Sequence, residues 1–176
     1  MVRSPKKLEN AFSLVEILVV VSIILLLTGF SVANYNNFNQ ENLLKKEVNK
    51  FIDVLSLVKT KAVTADINFD CKVEFSINEE FAGYQVGVDT SGYDFKQCCR
   101  NVATKAISNC GSVIQEYYFP ANISKIAGEL SIDFYPLVTG ASGATVTIKN
   151  NSIDKCIDVL ISINGVITAG DQTICS

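Results

Sequence analysis

"AFSLVEILVVVSIILLLTGF", residues 11–30, decides how the rest of the chain is read. From Phe12 to Phe30 it holds 19 residues with Glu16 as the only charge. As a helix that run is about 28 Å long, close to the thickness of bilayer hydrocarbon. Arg3, Lys6 and Lys7 precede it, which predicts an N-terminus inside and the bulk of the chain outside. The expectation is a single-pass segment in the cytoplasmic (inner) membrane, with the remainder outside. A carboxylate costs about 2.5–3.5 kcal/mol near the centre of a span and less towards an end. Glu16 lies towards the cytoplasmic end, and an ionisable residue in a span calls for a function and a partner.

The next stretch, "NYNNFNQEN" at 34–42, is polar and rich in Asn, a weak helix former. Beyond it Leu44, Val48, Phe51 or Ile52, Leu55, Val58 and Ala62 recur at three- and four-residue spacing, the pattern of an amphipathic helix. Lys45, Lys46, Glu47, Lys50, Asp53 and Lys59 fill its solvated faces. No proline interrupts the chain from Val15 to Asp66. The spacing therefore predicts one helix from about Phe12 to Ala65, roughly 80 Å long.

From Asp70 the period changes to two. Val73, Phe75 and Ile77 alternate with polar residues, as do Tyr84, Val86 and Val88. The same holds for Leu130, Ile132 and Phe134, for Ala144, Val146 and Ile148, and for Ile157, Val159, Ile161 and Ile163. Residues 114–118 are β-formers ending at Pro120, and Asn164-Gly165 marks a hairpin between Ile161–Ile163 and Val166–Thr168. Six or seven antiparallel strands after one helix predict an α+β protein.

The chain has 176 residues, no His and no Trp. Its net charge is −3; without Arg3, Lys6, Lys7 and Glu9 the 15 basic and 18 acidic residues become 12 and 17, so the remainder carries −5. An acidic body disfavours nucleic acid, and no nucleic-acid partner is expected. Cys71, Cys98, Cys99, Cys110, Cys156 and Cys175 all lie beyond the apolar run. In an exported domain they are disulfide candidates, with 15 possible pairings. Sequence proximity suggests Cys156–Cys175, with the other four pairing among themselves and the adjacent Cys98 and Cys99 going to different partners. No paired C-x-x-C knuckle supports a metal site, and no cofactor is expected. Phosphate-loop, dinucleotide and nucleophile-elbow signatures are absent, so no catalytic residues are assigned and no enzyme is expected. Asn122-Ile123-Ser124 and Asn150-Asn151-Ser152 match the N-glycosylation pattern.

Ala11-Phe12-Ser13-Leu14-Val15-Glu16 followed by an aliphatic run resembles the processing site of type IV pilins and type II secretion pseudopilins. The resemblance implies cleavage by the prepilin peptidase between Ala11 and Phe12, with N-methylation of Phe12. The family usually carries Gly where this chain has Ala11. It also implies that Glu16 of one subunit neutralises the new amine of the next and sets filament register. It further implies a lollipop-shaped fold: a long N-terminal helix whose amphipathic half packs on a β head. The stretches "SIDFYPLVTG" and "DVLISINGVITAGDQTIC" resemble, more loosely, the head of the H-type minor pseudopilin.

The resulting organisation is a leader at 1–11, a transmembrane and assembly half-helix at 12–33, an amphipathic half-helix at 34–66 and a disulfide-containing β head at 67–176. The expected function is that of a structural subunit, a minor pilin or pseudopilin. Its partners would be other such subunits, the peptidase and methylase, and membrane lipid before assembly. Two other fates fit the first thirty residues. A secretory signal cut after Ser31-Val32-Ala33 would release a disulfide-bonded binding module, and an uncut segment would serve as a plain anchor.

Overall fold

Leu14–Val63 form a single α-helix, α1. The computed structural model describes residues 13–136 and 140–175, with the backbone alone for residues 30–34. The expected leader at 1–11, with Ala11 at its end, and Phe12 lie outside the described residues. The chain divides into two units, Met1–Asn39 and Gln40–Ser176.

In the first unit the described side chains of α1 are exposed on every face. The expected membrane localisation is corrected here: among the described residues no helix is long and apolar enough to cross a membrane. A span asks for about 20 predominantly apolar residues, and the described stretch from Ser13 to Gly29 includes the charged Glu16 and the polar Ser13, Ser22 and Thr28.

In the second unit, Leu44, Val48, Phe51, Leu55, Val58 and Ala62 of α1 are fully buried at the spacing of one helix face. Their core partners come from two antiparallel sheets. The first has the order β3-β2-β1-β6, with β4 (Gln115–Tyr118) also pairing β2. Its other strands are β1 (Glu79–Val88), β2 (Gly92–Asn101), β3 (Ile107–Cys110) and β6 (Ser131–Phe134). The second has the order β10-β8-β7-β5, with β9 (Ile167–Ala169) also pairing β8. It contains β5 (Ile123–Gly128), β7 (Ala144–Asn150), β8 (Lys155–Ile161) and β10 (Thr173–Ile174). Tyr84, Val86, Phe95, Ile132 and Phe134 enter the core from the first sheet, and Val146, Ile148, Ile157, Val159 and Ile161 from the second. Alternation puts every second residue of each strand inward. The protein is thus α+β, and the hairpin at Asn164-Gly165 joins β8 to β9 with Ile161 opposite Ile167.

α1 ends where Ala65 adopts φ 49° and the Asp66 N–H donates to the Lys61 carbonyl at 3.0 Å. Lys61 pairs with the Asp66 carboxylate at 2.6 Å, and the Tyr84 hydroxyl donates to the Asp66 carbonyl. Burial, then the Asp66 charge, pushes the Tyr84 phenol up to about 12.

Where a strand is expected at Val73–Ile77 the chain forms a short helix, α2 (Cys71–Glu74), and then turns through Ile77. The Asp70 side chain accepts from the Lys72 N–H at 2.9 Å and caps it. Val73 and Ile77 stay 84% and 79% exposed, so the period-two pattern there buries no face. Four strands escaped the sequence pattern: β2, β3, β5 and the two-residue β10. β2 places Gln97, fully buried, at an inward position where an apolar residue is expected. β5 likewise turns Lys125 inward, with its ammonium donating to the Val88 carbonyl at 3.3 Å. β3, Ile-Ser-Asn-Cys, is too short to show a period.

At Gly83 the β1–β2 register shifts, φ is +125°, and a Cβ would lie 1.9 Å from the Phe134 carbonyl oxygen. Gly83→Ala is therefore expected to lower stability by more than the ~1 kcal/mol of a strand glycine change. Leu55→Ala is expected to cost about 2–5 kcal/mol. Denaturant titration of the disulfide-intact chain checks both, and an unchanged midpoint for Leu55→Ala would remove the helix face from the core.

Candidate assembly surface

The first turn of α1 is built by Ser13. Its hydroxyl accepts from the Glu16 N–H at 3.2 Å, and its carbonyl accepts from Glu16 and Ile17. Ser13-x-x-Glu16 is the capping-box spacing, a signal present in the sequence and unused above. Glu16 also puts negative charge at the positive end of the helix. From there Leu14 (81% exposed), Val15, Ile17, Leu18 and the aliphatic residues up to Leu27 turn apolar surface outward on all sides. The hydroxyls of Ser22 and Thr28 donate to the Leu18 and Ile24 carbonyls at 2.8 and 2.7 Å. They are satisfied within their own helix. Glu16 is the charged side chain of this segment, and it is exposed.

The cysteines pair as Cys71–Cys99, Cys98–Cys110 and Cys156–Cys175. Successive residues of β2 face opposite sides, so Cys99 reaches α2 while Cys98 reaches its cross-strand neighbour Cys110 on β3. Gln97 holds the same loop as the first bond. Its side-chain oxygen accepts from the Asn68 N–H at 2.6 Å, and its nitrogen donates to the Phe69 carbonyl at 2.8 Å. Nothing in the sequence pattern singled out Gln97.

Asn150 is fully buried, and its amide donates to the Gln40 carbonyl at 2.9 Å and to the Gln40 side-chain oxygen at 3.1 Å. That sequence match is a structural contact, whereas Asn122 sits on an exposed turn. Directly opposite Asn150 on β8, Lys155 pairs with Glu41 of α1. The bond to Lys155 holds the Glu41 carboxyl below its ordinary value. Lys105, then Arg100, does the same for Glu80, each at 2.9 Å. No group of three potential metal ligands occurs among the described residues.

No family model matches the chain, and no curated protein matches its sequence. Among solved structures it is similar to the minor pseudopilin EpsH from the type 2 secretion system of Vibrio cholerae. The identity is 16%, the TM-score is 0.45, and the match covers 72% of this chain and 95% of that one.

Glu41 and Glu80 have depressed folded-state pKa values, so their ion pairs add stability above the ordinary carboxylate value of 4.5 and lose it as pH falls through the depressed values. Lys155→Met and Lys105→Met are each expected to flatten the loss of stability below pH 4.5. Denaturation midpoints measured across that range check the sign; an unaltered slope in both variants would contradict it.

Proposed function

We propose that this chain is a structural subunit of the pilin and pseudopilin kind, cut between Ala11 and Phe12 and assembled through the first half of α1. The observation that carries this reading is the segment Leu14–Gly29, whose described side chains expose apolar surface all round, with Glu16 as the charge. Surface of that kind is costly in water unless covered. A bundle of identical helices covers it on every side, which one partner groove would not. Cleavage would create an amine at Phe12, one turn before Glu16. In a bundle that amine and the Glu16 carboxylate of a neighbour can pair, which sets the axial offset between copies. The peptidase and methylase act first, and other subunits are the lasting partners. The work is mechanical: α1 makes the contact, and the disulfide-tied β unit forms the outer surface.

The capping-box spacing of Ser13 and Glu16 offers the Glu16 side chain a competing, purely local role. Two substitutions separate them. Glu16→Gln keeps a capping side chain and removes the charge, while Glu16→Leu removes both. If Glu16 pairs with an amine, both variants lose incorporation into filaments by about tenfold or more. Retained assembly in Glu16→Gln would leave Glu16 as a cap alone. Intact-mass and N-terminal analysis of the mature chain is expected to find methylated Phe12; a chain beginning at Asn34 would point to a released module instead.

A further inference from the structure

One row of the first sheet carries uncompensated charge. Ser131 of β6, Gly87 of β1, Asp94 of β2 and Glu116 of β4 lie in register across four strands. The alternate row, Tyr93 and Tyr117, packs inward, with Tyr93 against Phe51 of α1, so Asp94 and Glu116 are on the outer face. Like charges directly opposite each other on adjacent strands are destabilising. Among the described residues neither carboxylate has a cationic nitrogen within 4.0 Å. Lys96, the next residue along that face, is half-buried and lies opposite Gln85.

The floor of this row is a trough of about 350 Å³ whose walls include Asp89, Tyr118 and Leu130. The Asp94 carboxylate lies over Gly87: a Cβ there would lie 2.4 Å from one of its oxygens. Asp89 accepts from the Ser91 hydroxyl and backbone, which holds its carboxyl below the ordinary range and keeps it charged. Tyr118, 68% exposed, donates to Glu116 at 2.6 Å, and Leu130 is 75% exposed. The trough is therefore an anionic slot with apolar walls, suited to the ammonium and the methylene stem of a lysine.

The same chain carries the complementary face. Leu44, Val48, Phe51 and Leu55 bury one side of α1, which leaves Lys46 and Lys50 exposed. They are four residues apart, about 6 Å on one helix face. That matches the ~5 Å between directly opposed strand residues such as Asp94 and Glu116. Lys46 has no carboxylate within 4.0 Å among the described residues, and Lys50 meets Glu47 only at 3.6 Å while staying 46% exposed.

We propose that the trough at Asp94 and Glu116 receives the Lys46–Lys50 face of α1 from a second copy of this chain. This contact rests on the assembly reading above and adds to it a second, electrostatic interface. The two faces differ, so the contact is heterologous, and repeating it yields an open-ended row of copies. The neighbour's lysines relieve the Asp94–Glu116 repulsion that a single copy keeps.

The test uses the full chain with its disulfides intact and follows self-association by sedimentation at about 50 and 500 mM salt. Asp94→Lys with Glu116→Lys, and separately Lys46→Glu with Lys50→Glu, are each expected to weaken association by about tenfold at low salt. Mixing the two reversed proteins is expected to restore it, which also shows that both fold. Where a reversed protein loses its near-ultraviolet dichroism, Asp94→Asn with Glu116→Gln replaces it and is expected to weaken association and remove its salt dependence. Reversed variants that associate as the unaltered chain does, or a folded mixture that stays apart, would overturn the contact and leave the helix-bundle reading standing. An unaltered chain that stays monomeric would sink both. Association that requires a divalent cation and ignores Lys46 and Lys50 would assign the trough to a metal and overturn the pairing.

Discussion

Burial of one face of α1 against two sheets is the contact on which the second unit depends. Six residues from Leu44 to Ala62 lose essentially all contact with water there. Fully burying side chains of this size contributes about 1.5–3 kcal/mol each for the larger ones. Neither sheet has another helix of that length to cover its inner face among the described elements. The helix therefore fills the role that a second layer fills in a sandwich, and both sheets take their orientation from it.

Polar groups then define how that core is closed. Tyr84 reaches the carbonyl of Asp66 where α1 ends, and Gln97 satisfies the backbone of the loop that follows. Asn150 meets Gln40 where α1 enters the unit. Each is a buried group whose partner is backbone or side chain many residues away, and leaving any of them unpaired costs about 1–3 kcal/mol. The disulfides add constraint at the points where the apolar core is thinnest: the α2 loop, the short β3 edge and the C-terminal strand β10.

The two halves of α1 put the same helix to different uses. From Gln40 onward its apolar residues keep to one face, and from Leu14 to Gly29 they occupy all faces. A surface apolar on every side has no solution within a single copy of this chain among the described contacts, whereas a stripe does. At the start of that segment the Ser13 hydroxyl accepts from the Glu16 N–H, at the capping-box spacing.

Periodicity carried most of what could be read in advance. The 3.6 period from Leu44 to Ala62 and the period of two from Tyr84 onward are properties of neighbouring residues, and they determined a helix followed by antiparallel strands. Asn164-Gly165 determined a hairpin for the same local reason. The strands β2 and β5 were hidden because Gln97 and Lys125 occupy inward positions, and only partners far along the chain make those positions tolerable. Val73–Ile77 looked like a strand, but Asp70 caps a short helix that ends at Glu74 and the chain then turns. The even cysteine count was local knowledge, whereas Cys71–Cys99 and Cys98–Cys110 required the β1–β2–β3 register. The opposition of Asp94 and Glu116 came from the β2–β4 register. Local spacing decides an element because its hydrogen bonds close within a few residues; which side chains meet across elements is decided by the packing that brings distant segments together.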